Sequence, residues 1–266
     1  MIVTLLTDYG LDDPWVGVCH GVIVAGCPQA HIVDLTHGIA AWDVRHGALA
    51  LRDALPHVPI GVHLAVVDPE VGTSRRAVAV RTADGRRLVG PDNGLLSLAW
   101  PRCGGAEEAV EISASPARRE PVSATFHGRD LFAPVAAALA CGADLAEVGD
   151  PLEPDSLVTL TLPPARVVGA SVIATCLLAD GFGNLALGAG PAEVERAGWT
   201  QGTTLGIEAG GAVHIARFAR TFADVAPGEL LVHLDANEAL ALAVRHASAS
   251  KLLELGRDER VRLFPA

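Results

Sequence analysis

The chain has 266 residues, enough for one large domain or two modest ones, each with its own core. Half of its residues are hydrophobic, yet no unbroken apolar run approaches the roughly 20 residues of a membrane span. A formal charge of −11 argues against a nucleic-acid backbone as partner and says little about other ligands.

The first residues, Met1 to Asp8, lack the basic start and cleavage site of a signal peptide and read as a strand. Up to about residue 150, β-rich runs alternate with helical spacing. Ile2 to Leu6, Ile32 to Leu35, Val62 to Val67 and Ala77 to Val80 are predicted strands, while Trp15 to Ala25, Trp42 to Leu55 and Asp130 to Ala140 are predicted helices. Asp130 is expected to cap the last of these and Cys141-Gly142 to end it. Such alternation predicts an N-terminal α/β domain, residues 1–155, with a mostly parallel sheet. The segment Asp150 to Asp155, with Pro163-Pro164 beyond it, reads as a linker. After it, Val167 to Leu178, Thr203 to Ile207, Val213 to Phe218 and Leu230 to Leu234 are strand-like and separated by Gly-rich turns. Residues 165–266 are therefore expected to form an antiparallel β-barrel or sandwich.

The five cysteines, Cys19, Cys27, Cys103, Cys141 and Cys176, are scattered and odd in number. That fits thiols in a reducing cytoplasm and argues against a disulfide framework or zinc site. P-loop, G-x-G-x-x-G, H-E-x-x-H and G-x-S-x-G motifs are absent, and the ten histidines show no metal-ligand spacing.

Open α/β sheets bind ligands at the carboxyl ends of their strands. Two such ends carry aspartates: Thr7-Asp8-Tyr9-Gly10, with Asp12 and Asp13 beyond, and Asp68-Pro69-Glu70-Val71-Gly72-Thr73-Ser74-Arg75-Arg76. Each aspartate alone reads as well as a turn or helix cap. A third element, Thr125-Phe126-His127-Gly128-Arg129-Asp130, precedes a helix, whose N-terminus disfavours protonation of a nearby imidazole. A cation such as Arg75 or Arg76 would reinforce this and keep His127 neutral. A lone histidine is otherwise a structural hydrogen-bonder. The fourth, Asp180-Gly181-Phe182-Gly183-Asn184, is a hairpin turn on its bland reading and a platform on its functional one. Phe182 would stack on a flat ring and Asn184 would read its polar edge. Taken alone, these residues lead to a small-molecule site and stop short of the substrate.

In this order, Thr-Asp-Tyr-Gly, Asp-Pro-x-Val-Gly-Thr-x-Arg-Arg, Pro91-Asp92-Asn93-Gly94-Leu95-Leu96, Phe-His-Gly-Arg-Asp-x-Phe-Ala-Pro, Asp-x-Phe-Gly-Asn and Arg220-Thr221-Phe222 resemble the SAM hydroxide adenosyltransferases, kin to the fluorinases and chlorinases. The resemblance spans nearly the whole chain. It implies an α/β domain followed by a β-barrel, a homotrimer with sites between neighbouring subunits, and hydrolysis of S-adenosylmethionine (SAM) to adenosine and methionine without a metal or other cofactor. By the same resemblance Asp68, Arg75 and His127 surround the attacking water, a set the halogenating relatives lack. Asp8 would hold the ribose hydroxyls and Trp42 would pack along the sugar. Phe182, Asn184 and Phe222 would frame the adenine beside the Val244 backbone. Asp180 would receive the methionine ammonium, with Asp13 near that end. Two positions depart from the family pattern: Glu70 replaces a glycine, and Asp235-Ala236-Asn237-Glu238 replaces Asn-Ser-x-Gly at the methionine end. A SAM-dependent halogenase and a SAM- or adenosine-binding protein without turnover are the competing readings.

Overall fold

Ile2–Thr7 (β1) is buried on both faces, as a near-continuous apolar run requires of a central strand. The computed structural model, which describes residues 1–266, places it in a seven-stranded sheet of order β2-β1-β3-β5-β4-β6-β7. Here β2 is His31–Thr36, β3 Val62–Val66, β4 Ala77–Thr82, β5 Arg87–Pro91, β6 Ala106–Glu111 and β7 Asp150–Leu152. The half β2-β1-β3-β5 is parallel, and β5-β4-β6-β7 is antiparallel. Period-two alternation sends Val3 and Leu5 to one face and Leu6 to the other. The first face is covered by Trp15–Gly26 (α1), through Val16, Cys19 and Ile23, and by a later helix carrying Phe132, Val135 and Leu139. Val44–Ala54 (α2) covers the second face with Leu51. Its N-cap is Asp43, whose carboxylate accepts the His46 amide at 3.0 Å.

Asp130 does not cap its helix. The chain enters through a π-helical turn, Gly128–Phe132, and continues as Ala133–Ala140 (α3). Asp130 lies inside that turn and is buried. It pairs with Arg129 at 2.7 Å and accepts the Ser123 amide at 2.9 Å. Cys141 ends α3 as expected, and a short helix, Leu145–Val148 (α4), leads to β7. The segment expected to be a linker is part of this unit, because β7 pairs with β6 and Arg76 fastens the residues just beyond it. Arg76 binds Asp92 at 2.6 Å and the Ser156 carbonyl at 2.6 Å, and Asp92 accepts the Val158 amide at 2.8 Å. The first compact unit is Met1–Leu160 and the second Thr161–Ala266.

In the second unit Arg166–Val168 (β8) and Ser171–Ala179 (β9) form a hairpin, so the run expected as one strand is broken, with Gly169 at φ +58°. Leu185–Leu187 (β10), Thr204–Ala209 (β11), Ala212–Phe218 (β12), Leu230–Leu234 (β13), Leu240–Val244 (β14) and Arg260–Pro265 (β15) complete the sheet. Helices Pro191–Ala197 (α5) and Ala249–Leu253 (α6) flank it. Because β10 pairs with both β14 and β9, seven strands close into a barrel, with β8 outside the ring. Every pairing is antiparallel except β12 with β13. The interior is apolar, including Val172, Ile207, Val232 and Leu242.

Candidate functional site

Asp68 follows β3 at the carboxyl edge of the first sheet, where its loop returns through Arg75 into β4. The two side chains form a bidentate pair. Arg75 Nε donates to Asp68 Oδ1 at 3.1 Å and Nη2 to Oδ2 at 2.6 Å, both side chains being at most 5% exposed. Nη1 donates to the Arg76 carbonyl at 3.0 Å, and the guanidinium carbon lies 5.4 Å from the Phe132 ring centre. Nη2 also lies 3.1 Å from His127 Nδ1. Arginine has only donors, so Nδ1 must accept and the proton of neutral His127 sits on Nε2. Burial, then the Arg75 charge, lowers the His127 pKa below its ordinary value. Of the five N–H groups of Arg75, four are engaged. One Arg75 N–H and the His127 Nε2–H remain as donors for a ligand. The expected choice between Arg75 and Arg76 resolves to Arg75, since Arg76 turns away to Asp92.

Two glycines allow this convergence. Gly72 has φ +81°, and a Cβ there would fall 2.3 Å from the Ala124 carbonyl oxygen, so the Asp68 loop lies directly against the segment leading to His127. A Cβ on Gly128 would fall 2.2 Å from the Tyr9 hydroxyl, so the loop following β1 reaches the same place. Tyr9 and Trp15 both pack edge-on against Phe126.

Asp8 is half-buried, and burial raises its pKa, offset in part by the Trp42 amide that donates to Oδ2 at 2.8 Å. The negative charge of Asp68 adds to the rise, so the two aspartates share one field. Trp42 is 73% exposed and has φ +65°, an uncommon backbone for a bulky residue. Asp13 is exposed, and nothing ties it to this constellation. Glu70 is also exposed; its carbonyl accepts the Thr73 amide and hydroxyl, and its carboxylate does not join the Asp68–Arg75 pair.

In the barrel, Asp180, Phe182, Asn184, Phe222 and Val244 line one cavity of about 900 Å³ together with Ser248. Phe182 is 83% exposed and Phe222 is half-exposed, tilted over His233. Asp180 organises its own turn: Oδ1 accepts the amides of Phe182 and Asn184, and Oδ2 accepts Asn184 Nδ2 at 2.8 Å. Asn184 therefore presents its carbonyl oxygen, an acceptor suited to an exocyclic amine. Ser248 is a lining residue that sequence reading passed over. Its only local signal is that of an N-cap, as its side chain accepts the Lys251 amide. In Asp235-Ala236-Asn237-Glu238, the Asp235 carboxylate accepts the amides of Asn237 and Ala239, and Glu238 has φ +64°.

Two family models match: the SAM hydroxide adenosyltransferase N-terminal domain over residues 3–149 and its C-terminal domain over residues 174–262. A protein of Salinispora tropica named (R)-S-adenosyl-L-methionine hydrolase is 46% identical over 261 residues, 98% of this chain and 97% of that one. A protein of an Actinoplanes species named fluorinase is 30% identical over 91% of this chain and 90% of its own. Among solved structures, an uncharacterized conserved protein from Thermotoga maritima superposes with a TM-score of 0.93 at 35% identity, covering 99% of this chain and 100% of its own.

Proposed function

This chain belongs to the SAM hydroxide adenosyltransferase family, and on that footing we propose that it hydrolyses S-adenosylmethionine to adenosine and L-methionine. One observation carries the reading: an Asp68–Arg75–His127 set, its carboxylate and guanidinium buried and its imidazole half-buried, that leaves two N–H donors free. Such donors stabilise a hydroxide-like oxygen, and their positions are fixed before substrate arrives. Water adds to the ribose 5′ carbon, the electron pair of the carbon–sulfur bond stays on sulfur, and one proton passes to solvent. Sulfur departs as a neutral thioether and needs no acid. The remaining task is to hold the oxygen in line with the departing bond, an orientation effect that can contribute many kcal/mol.

In this scheme Asp8 accepts from the ribose hydroxyls, Trp42 packs along the sugar, and Phe182, Asn184, Phe222 and the Val244 backbone receive the adenine. Asp180 and Asp13 are assigned to the methionine ammonium; Asp180 still has an open lone pair on Oδ2, whereas Asp13 rests on resemblance alone. The step is proposed to need no metal or cofactor, which the arginine engaging both Asp68 oxygens favours. Turnover at saturating SAM should then survive exhaustive chelation. Copies of the chain are proposed to assemble as a homotrimer in which neighbouring subunits complete each site, and sedimentation showing an active monomer at micromolar concentration refutes that. The five free thiols favour a reducing cytoplasm as its location.

The direct test is to incubate purified protein with SAM and separate the products. Adenosine and methionine in equal amounts are expected, unchanged by added chloride or fluoride. A 5′-halogenated nucleoside would favour the halogenase reading, and unconsumed SAM would favour a binding protein.

A further inference from the structure

Outside that site, the fold collects three ligand-type side chains that sequence spacing does not bring together. His20 comes from α1, Asp34 from the edge strand β2, and His37 from the loop just after it. Their ligand atoms all lie within 4.8 Å of one another. His20 Nε2 is 2.8 Å and His37 Nε2 is 3.1 Å from the same oxygen, Asp34 Oδ1. His20 and Asp34 are partly open to solvent, which gives an entry path, whereas the His37 side chain is only 3% exposed.

His37 Nε2 is the informative atom. Despite its closeness to Asp34 Oδ1 it makes no hydrogen bond, so a buried polar nitrogen is left without a partner. Its other nitrogen, Nδ1, is held by the Thr7 hydroxyl at 2.8 Å, and that hydroxyl accepts the Tyr9 amide at 3.1 Å. Either tautomer serves Nε2 badly. Protonated, it misses its acceptor; unprotonated, it turns a lone pair on a carboxylate oxygen. A cation between the two removes the conflict. A histidine whose second nitrogen is fixed by a hydrogen bond is also the usual form of a metal ligand.

The geometry points to a binding site for a divalent transition metal of the zinc class, formed by His20 Nε2, Asp34 Oδ1 and His37 Nε2. Two imidazoles and a carboxylate suit a borderline ion, not calcium or magnesium, whose sites are built from oxygen. Tetrahedral ligands at about 2.0–2.1 Å stand roughly 3.3 Å apart, so the cluster needs only small side-chain adjustments. Three protein ligands leave a fourth position for water. The site stands whether or not the chain hydrolyses SAM, and it is distinct from the Asp68 set. Its reach is local: His37 grips Thr7 through its ring and accepts the Gly10 amide on its carbonyl at 2.9 Å, so it holds both ends of the loop that carries Asp8.

The test uses the full chain freed of metal by chelation and dialysis, titrated with zinc(II) by calorimetry and with cobalt(II) by visible absorption. One ion per chain is expected, with a Kd in the micromolar range or tighter and the cobalt bands of a low-coordinate nitrogen–oxygen site. At a hundredfold excess over Kd, zinc should raise the Tm by about 5 °C. His20→Ala, a change on a partly exposed helix face, should weaken binding at least tenfold and remove the cobalt bands, as should Asp34→Asn. His57→Ala should change neither. Circular dichroism establishes that each variant is folded. No saturable binding by wild-type protein, or equal binding by His20→Ala, would show that the three side chains are a hydrogen-bonded cluster only.

Discussion

His127 is defined by what Arg75 takes from it: with Nδ1 accepting from the guanidinium, the imidazole has one proton, on Nε2, and that proton points the residue's chemistry outward. His127→Ala and Arg75→Ala should each lower turnover by roughly 100-fold or more, since removing one donor from a preorganised anion site costs on the order of 2.7–4 kcal/mol. Adenosine affinity, measured by calorimetry, should change little. Because burial and Arg75 hold the His127 pKa below 6.5, the neutral form persists into mildly acidic solution. The acid limb of kcat should therefore fall below pH 6.5 in the wild type. A limb at or above that value would mean that the imidazole is charged when it acts, or that it does not act. His63 carries a different consequence. It is fully buried, bonded to Thr4 through Nδ1 at 2.9 Å, and burial pushes its pKa down to about 4. An unfolded chain binds a proton near pH 6.5 that the folded chain refuses. The stabilising contribution of neutral His63 is thus complete above pH 6.5 and is lost progressively as pH falls toward 4. It amounts to about 3 kcal/mol over that window, at about 1.4 kcal/mol per unit. Urea unfolding at pH 7.5 and 5 should show this slope, and His63→Asn should flatten it.

In the parallel half of the first sheet β1 and β3 were legible because they are buried on both faces and carry near-continuous apolar runs. By contrast β5, Arg-Leu-Val-Gly-Pro, was not expected as a strand, because its Gly-Pro end reads as a turn. The strand β6 was not, because Ala-Glu-Glu-Ala-Val-Glu does not look like a strand. Two of its three carboxylates are satisfied across the ladder, where Glu107 and Glu108 pair with Arg81 at 2.9 and 3.0 Å. The parallel β12–β13 pairing escaped notice for a similar reason: local turn signals predict hairpins and carry no information on a crossover. In the site, Asp68, Arg75 and His127 were each visible at a loop, but their mutual contacts depend on loop-to-loop approach, which one-dimensional spacing does not encode. Asp180 shows the opposite case, since the bland reading as a turn organiser describes all its observed hydrogen bonds. Loop approach can be tested at Gly72, where a methyl group would meet the Ala124 carbonyl oxygen at 2.3 Å with φ at +81°. Gly72→Ala should destabilise the chain by at least about 1 kcal/mol through left-handed backbone strain alone. The forced separation should also pull Arg75 from His127 and lower kcat, while adenosine binding to the barrel pocket is preserved. Unchanged urea midpoint and unchanged kcat would show that the two loops are not held in register by this contact.

At the scale of the whole molecule, each unit encloses its own apolar core. The barrel, Thr161–Ala266, has interior residues such as Val172, Ile207 and Leu242 at 0% exposure. Closure of the ring through β10 leaves its seven strands without the open edges that make isolated sheets aggregate. A fragment of residues 161–266 should therefore fold alone, with a cooperative thermal transition and the circular dichroism of a β-protein. The cavity framed by Phe182, Asn184, Phe222 and Val244 lies wholly within it. If that cavity receives the adenine, the fragment keeps the aromatic platform and loses Asp8, the residue assigned to the ribose hydroxyls. A hydrogen bond to a charged group contributes about 1.5–3 kcal/mol, so the fragment should bind adenosine at least tenfold more weakly than the full chain. It should also show no preference for adenosine over adenine, because the group that reads the sugar is gone. Calorimetry with adenosine and adenine on both proteins checks each part. Equal affinity in fragment and full chain would mean that Asp8 does not contact the ribose. Binding by the full chain with none by a folded fragment would place the adenine elsewhere than between Phe182 and Phe222.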